Sequence, residues 1–293
     1  MSSADIAVKV FRDLESEDFR VLQAIEAAMS RHEYVPTALI LKYARFTLDE
    51  TEFRLKRLTK FRLILRARTP YSGSTLNYAG YDSLAINALV KAQVLEAFGK
   101  PLGVGKEADV FDALNPDAER IAVKFHRFGR VSFQQVVRKR GYARKHIGWL
   151  FQSRVAAERE IQGMNLVFPK GVAVPKPIRQ NRHVVVMGMI EGAELSEYKQ
   201  ISNPEEVLKE ILSNVRRAYL NAGVIHADLS EYNVILKPDK RILIIDWPQY
   251  VTKDHPNAEQ LLRRDIGNIV KFFRRKFLID LKLKEALSYV TRA

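Results

Sequence analysis

Two aspartates eighteen positions apart, Asp228 and Asp246, constrain this chain more than any other feature. Asn233 follows Asp228 by five residues. Then come the apolar triplet Val234-Ile235-Leu236, the turn-rich Lys237-Pro238-Asp239-Lys240 and the apolar run Ile242-Leu243-Ile244-Ile245, which ends on Asp246. Two short apolar runs around turn residues predict a strand hairpin, which would carry its end back to its start and bring Asp228, Asn233 and Asp246 together. A carboxylate closing a buried strand is costly unless it meets a cation. Two carboxylates and an amide oxygen are hard donors of the kind that Mg2+ or Mn2+ takes.

Two weaker motifs lie upstream. Gly103-Val104-Gly105-Lys106 precedes Val110, and paired glycines let a backbone approach a phosphate closely. Lys106 stands in the same turn as a point charge. Ile121-Ala122-Val123-Lys124 ends 19 residues past Gly105, far enough for a hairpin to return. Taken alone, the glycines suit any turn and Lys124 suits a strand end. Together with the aspartate hairpin, the order and spacing match the protein-kinase set. Lys124 would clamp phosphate oxygens, Asp228 would position the acceptor and take its proton, and Asn233 and Asp246 would hold the metal. A helix carboxylate in AAEREIQGM is expected to hold Lys124. Glu160, set before Ile161 and Met164, is favoured, and Glu158 stays open. His226 reads as a brace for the loop rather than a metal ligand or general base.

The first 84 residues read differently. Ser16 is placed to cap a helix through EDFRVLQAIEAAMSR, Pro36 to start PTALILKYARF, and Thr47 with Glu50 to form a capping box before FRLKRLTKF. LILRAR and LNYAG around TPYSGS predict a hairpin. Three short helices and a basic hairpin are the parts of a winged helix. Arg54, Lys56, Arg57 and Lys60 on the third helix, with Arg62, Arg66 and Arg68 on the hairpin, suit phosphate contact. A protein–protein module with a solvated basic face is the plainer alternative.

Lys plus Arg number 48 against 34 Asp plus Glu, a net charge of +14. Such an excess attracts polyanions, nucleic acid ahead of an acidic membrane surface. An apolar fraction of 47% excludes disorder of the whole chain. Without cysteine there is no disulfide, thiolate metal site or cysteine nucleophile, which fits a reducing compartment. MSSADIAVKVFRDL carries no apolar signal segment and no run is long enough to span a bilayer, so a soluble cytoplasmic protein is expected.

GVGKEADV, IAVK, HADLSEYN and IIDWPQ, in that order, closely resemble the RIO kinases. GYDSLAINALV and DHPNAEQLLRRDI resemble the second RIO subfamily, which carries an N-terminal winged helix. The lack of a long C-terminal extension suggests an archaeal-type member. The resemblance covers essentially the whole chain. It implies an α+β protein with a winged-helix domain over residues 1–84 and a reduced bilobal protein-kinase-like domain over 85–293, its lobes meeting near residue 190. It implies an ATP- and Mg2+-dependent atypical serine/threonine protein kinase or ATPase that transfers the γ-phosphate during maturation of the small ribosomal subunit. The implied partners are rRNA and ribosomal proteins, with no membrane. By position, Asp228 is the catalytic aspartate, Lys124 the phosphate lysine, and Asn233 and Asp246 the metal ligands. Gly103, Val104, Gly105, Lys106, Val110 and Ala122 would face the nucleotide. Met187 would be the gate, Gly188, Met189 and Ile190 the hinge that meets adenine through its backbone, and Ile235 would lie under the base. Gly188 replaces an expected acidic residue, a change that a backbone contact survives.

Several departures from ordinary protein kinases matter. Ala108 replaces the third glycine of the loop. Trp247-Pro248 replaces Phe-Gly, and a proline with fixed φ argues against a flipping switch. Only 47 residues follow Asp246, without an A-P-E motif, so a large docked partner or ATP hydrolysis coupled to release fits better than a peptide groove. Residues 124–148 carry Lys124, Arg127, Arg130, Arg138, Lys139, Arg140, Arg144 and Lys145 with no acid. This segment reads as an RNA-facing or phosphate-gating loop with Ser132 as a self-phosphorylation site, or more plainly as a solvated loop. VKFFRRKF is expected to be a packed helix. Two competing functions share these residues: a small-molecule phosphotransferase of the aminoglycoside or choline kinase type, and a nucleic-acid-binding regulator with an inactive kinase core.

Overall fold

The structure is a computed structural model that describes residues 2–69, 71–105, 107–129 and 142–292, with the backbone alone over 142–147. The chain divides into two compact units, Met1–Ala157 with Gln180–Val185, and Glu158–Arg179 with Val186–Ala293.

The first unit opens with helices α1 (Ser3–Val10), α2 (Ser16–Ala28), α3 (Thr37–Ala44) and α4 (Leu48–Lys60). Strands β1 (Val35–Pro36), β2 (Ile64–Ala67) and β3 (Gly73–Leu76) form an antiparallel sheet in the order β1-β3-β2. Leu22 and Ile25 of α2, Ile40 of α3, Leu55 and Leu58 of α4 and Leu76 of β3 form one buried core. Helical spacing turns each of these stripes inward, and the result is the expected winged helix.

Local details differ from expectation. Ser16 is the first helical residue and Glu15 the cap, its N–H donating to Asp18 at 3.0 Å. Pro36 caps α3 and belongs to β1. Thr47 does cap α4, accepting from the Glu50 N–H, but Glu50 turns to Arg54 at 2.6 Å instead of completing the box. The second wing strand is Gly73–Leu76 rather than LNYAG. Asn77 leaves the sheet because its side chain caps α5 (Tyr78–Lys91), accepting from the Gly80 N–H at 3.0 Å. A Cβ on Gly80 would stand 2.2 Å from the Leu63 carbonyl oxygen, so only glycine lets this helix start where it does. Residue 84, the expected domain boundary, falls inside α5.

Strands β4 (Ala97–Val104), β5 (Ala108–Leu114) and β6 (Arg120–His126) follow as an antiparallel meander. They continue through β8 (Val184–Gly188) and β7 (Pro177–Asn181) in a five-stranded sheet of order β4-β5-β6-β8-β7. Phe111, Ile121, Val123 and Phe125 fill its buried face. Helix α6 (Tyr142–Val167) lies between β6 and β7 in sequence, and the division between units falls within it and within the β7–β8 hairpin.

The second unit is mainly helical, with α7 (Pro204–Arg217), α8 (Ala258–Phe277) and α9 (Leu283–Thr291). Strand β9 (Ala193–Glu194) pairs with the predicted hairpin of β11 (Val234–Leu236) and β12 (Ile242–Ile244), and β10 (Val224–Ile225) pairs with β13 (Val251–Thr252). Phe272 and Phe273 are buried on α8 and cluster with Phe277, so VKFFRRKF is packed as expected. Among the described residues no helix is long and apolar enough to cross a membrane.

Candidate active site

Strand β10 runs into a loop on which Asp228 is exposed while Ala227 and Leu229 on either side are buried. Helix α8 holds those neighbours. Asp265 accepts from the N–H of Ala227 at 2.7 Å and of Leu229 at 3.2 Å, Asn268 donates to the Leu229 carbonyl at 3.1 Å, and Arg264 donates to the Ala227 carbonyl. Asp265 and Asn268 share a helix face at i, i+3, so one face of α8 grips the backbone on both sides of Asp228. Ala227 has φ 62°, a left-handed conformation that costs an L-residue roughly 1–2 kcal/mol and persists only under such restraint.

The hairpin completes the group. The Asn233 side-chain N–H donates to the Asp228 carbonyl at 2.8 Å, which leaves Asn233 Oδ1 as an acceptor. The Ile245 N–H donates to the Asn233 carbonyl at 2.9 Å, which places Asp246, itself left-handed at φ 67°, beside Asn233. Asp228, Asn233 and Asp246 are thus brought to one end of the hairpin. No cluster of three or more His, Asp or Glu side chains suited to a metal occurs among the described residues. Two carboxylates and one amide oxygen nonetheless fit Mg2+, which keeps several waters and completes its shell with substrate phosphates.

His226 braces this end. Its Nε2 donates to the Ile245 carbonyl at 2.9 Å and its ring lies 4.6 Å from that of Trp247. Burial pushes its pKa below the ordinary histidine value, leaving it a neutral donor as expected of a brace. Trp247 is buried and donates to the Ile244 carbonyl at 3.0 Å. Arg159 of α6 donates to the carbonyls of Pro248 at 2.7 Å and Tyr250 at 2.5 Å. A Cβ on Gly163 would stand 2.9 Å from Tyr250 and 3.1 Å from Trp247, so the glycine is what lets α6 pass here. The Trp-Pro segment is clamped, in keeping with the absence of a flipping switch. Glu160 is buried and Glu158 half-buried. Met187 is buried, and the Gly188 N–H is already committed to the Lys176 carbonyl at 2.8 Å, so of the expected hinge only the other backbone groups remain for a base. Ile235 is buried on β11.

In the first unit Lys124 and Ala122 lie on one face of β6, with Lys124 opposite Val110 and Gly103 opposite Val110 in turn. Gly105 closes the turn by donating to the Ala108 carbonyl at 2.8 Å, and Val104 is exposed. A Cβ on Gly103 would meet no atom within 4 Å. Among the described residues no packing demands that glycine, and the space beside it is open. Lys106 lies outside the described residues.

Arg127, expected in a basic RNA-facing loop, is instead buried in a network of charges. It bonds Asp82 through two nitrogens at 2.8 and 2.9 Å and Asp109 at 3.0 Å, and His183 Nε2 reaches Asp82 at 2.6 Å. Burial favours the neutral form of Asp82, but Arg127 and His183 outweigh it and hold the carboxyl below its usual pKa. The remainder of that basic segment, Arg130 to Arg140 with Ser132, and the side chains of Arg144 and Lys145 lie outside the described residues. The winged helix needs a similar correction. Arg54 is buried among Glu15, Asp18 and Glu50, Arg57 is paired with Asp18 and Glu15, and Arg66 is paired with Glu52. Three of the seven cations assigned to phosphate contact are neutralised by carboxylates of the same domain.

Asp265 enters the sequence motifs only as part of DHPNAEQLLRRDI, with no role of its own. Its signal was present: it interrupts the apolar stripe of Leu262, Ile266 and Ile269 on α8, and a carboxylate in such a stripe must have a dedicated partner.

A glycine turn and strand lysine in one unit, with a clamped aspartate loop in the other, define a phosphotransferase related to protein kinases behind a winged helix. The chain belongs to the RIO family: residues 109–286 match the RIO domain and residues 11–92 match the Rio2 N-terminal domain. It is 41% identical over 276 residues to the RIO-type serine/threonine-protein kinase Rio2 of Methanocaldococcus jannaschii, covering 90% of this chain and all of that one. It is 37% identical to the serine/threonine-protein kinase rio2 of Dictyostelium discoideum, of which it spans 52%. Among solved structures it resembles the Rio2 kinase–ADP/Mg2+–phosphoaspartate complex of Chaetomium thermophilum, with a TM-score of 0.84 and 32% identity over 98% of this chain and 89% of that one.

Proposed function

We propose that this chain transfers the γ-phosphate of ATP in an Mg2+-dependent reaction of the atypical serine/threonine kinase type. The observation that carries the reading is the exposed Asp228, fixed from both sides by α8 and joined to Asn233 and Asp246 at the end of the hairpin. Phosphoryl transfer needs alignment and charge neutralisation more than covalent help. Asn233 Oδ1 and Asp246 would hold the metal, which would supply neutralising charge to the phosphates. Asp228 orients the acceptor and takes its proton. Lys124 clamps phosphate oxygens and Glu160 holds Lys124. Gly103, Val104, Gly105 and Lys106 line the phosphates, while Val110, Ala122, Met187, Met189, Ile190 and Ile235 enclose the base.

The reading extends to a cytoplasmic protein that acts on immature small ribosomal subunits and contacts rRNA. Its support is the net charge of +14, the winged helix and the family. The phosphoaspartate in the Chaetomium thermophilum complex favours hydrolysis through an aspartyl phosphate as the second mode of the same site.

The test is ATP turnover with and without Mg2+, in the presence and absence of immature small subunits. Asp246→Ala and Asp228→Asn are expected to lower turnover by roughly a thousandfold or more, as when one member of a catalytic unit is removed, while subunit binding is retained. Turnover that survives either substitution in a folded protein would overturn the assignment.

A further inference from the structure

The helix expected to face nucleic acid has its two central arginines locked into carboxylates, yet the same domain holds a cationic hollow elsewhere. Between α2 and α3 lies a concavity of about 690 Å3 lined by Arg20, Gln23, Lys42, Tyr43 and Arg45, with alanines between them and no acid. All five of these side chains are exposed. Among the described residues no ion pair joins Arg20, Lys42 or Arg45 to a carboxylate. Of the acids on these helices, Glu26 of α2 is held by two bonds from Arg182 at 2.6 and 2.8 Å, Glu17 attracts Arg20 without forming an ion pair with it, and α3 contains no acid. Arg20 is held in place by a neutral partner: it donates to the Ala44 carbonyl at 2.6 Å and lies 4.2 Å over the Phe46 ring. Its guanidinium is positioned but keeps its full charge. The groove between α4 and the wing, by contrast, contains Glu52 beside Lys56, Arg66 and Arg68.

We infer that the α2–α3 hollow binds a nucleic-acid backbone, with Arg20, Lys42 and Arg45 on adjacent phosphates and the Tyr43 ring beside a sugar or unpaired base. Cations without ion-pair partners around a concave surface release counterions when they meet a polyphosphate, and an exposed aromatic among them offers a stacking platform. This site rests on the reading that the chain contacts RNA, and it relocates part of that contact from α4 to α2 and α3.

The experiment compares two variants of the full chain that lose the same charge. One is Lys42→Ala with Arg45→Gly, since Arg45 is left-handed at φ 56° and glycine is the residue that this conformation favours. The other is Lys56→Ala with Lys60→Ala on α4. Binding of a labelled RNA hairpin is measured across a salt series, with polyglutamate as a second probe. The α2–α3 variant is expected to weaken RNA binding roughly tenfold and to reduce the salt slope by about 1.5, the loss of two phosphate contacts. The α4 variant is expected to change affinity about twofold or less, and ATP turnover without subunits is unchanged in both. If wild type binds and only the α4 variant weakens, or both weaken equally, the hollow is not the site, though the chain still binds RNA. If wild type does not bind RNA, the underlying reading fails as well. Polyglutamate bound as tightly, with the same loss in the α2–α3 variant, would reassign the hollow to an acidic protein.

Discussion

Each unit buries an aspartate almost completely, and the two satisfy it in opposite ways. Asp82 in the first unit meets the full positive charge of Arg127 through two bonds, with a third bond from His183. Asp265 in the second accepts from two backbone N–H groups, and among the described residues the half-exposed Arg264 is the cation paired with it. The chemistry follows the partners. Asp82 is held below its usual pKa. Burial pushes Asp265 up to about 7, because two peptide dipoles only partly replace the lost hydration. A buried ion network makes a joint rigid at the risk of heavy loss if one member goes. A carboxylate on backbone dipoles orients a loop without a buried counter-ion of its own.

The largest test of that contrast is Arg127→Met. It strands Asp82 and Asp109 without their shared counter-ion and should cost about 3–5 kcal/mol in urea unfolding. Adding Asp82→Leu and Asp109→Leu should recover much of the loss, because an apolar replacement of a whole buried ion set is often neutral. A loss under about 1 kcal/mol for Arg127→Met would show that the network contributes little.

The next effect is one of pH. Burial, reinforced by Arg127, takes His183 down to about 4 although Asp82 pulls it up. Its folded pKa lies below its unfolded value, so the unfolded chain binds more protons between the two. The contribution is fully present above about 6.5 and is lost as the pH falls through 4, a change of about 3 kcal/mol. Asp265 has the opposite sign: its folded pKa lies above 3.8, and the stability it gives at low pH declines as the pH rises through about 7. The two slopes oppose each other between about pH 4 and 6.5, so His183→Gln should make stability fall more steeply with rising pH across that window than in the wild type. An unchanged profile would show that His183 does not contribute.

The smallest effect is on stability but is visible in catalysis. Asp265→Asn replaces one acceptor by a donor that faces a backbone N–H, loosening the frame around Asp228. We expect kcat to fall roughly tenfold to a hundredfold, as small misplacements do, with KM for ATP nearly unchanged and Tm lowered by a few degrees. Asp265→Glu should not rescue, because the longer arm cannot span both N–H groups from the same helix. Equal losses in kcat and KM would make Asp265 a general structural residue rather than one that positions Asp228.

What was legible in the sequence was local. The hairpin from Val234 to Ile244, the strand carrying Lys124 and the helices of the winged helix follow from alternation, helical spacing and turn residues that neighbours in sequence already share. The Asp228–Asn233–Asp246 group could be read because one short hairpin carries all of it. The fold decided whatever depended on a partner from far along the chain. Arg127 is a network centre rather than an RNA contact because Asp82 arrives from 45 residues away. Arg54 is spent on Glu15, 39 residues distant, rather than on phosphate. Asp265 lies 38 residues from Ala227 and gained its role only when α8 packed under the loop. A charge in a sequence has a sign and a periodicity, but its function depends on what else is buried with it, and that is set when distant segments exclude water together.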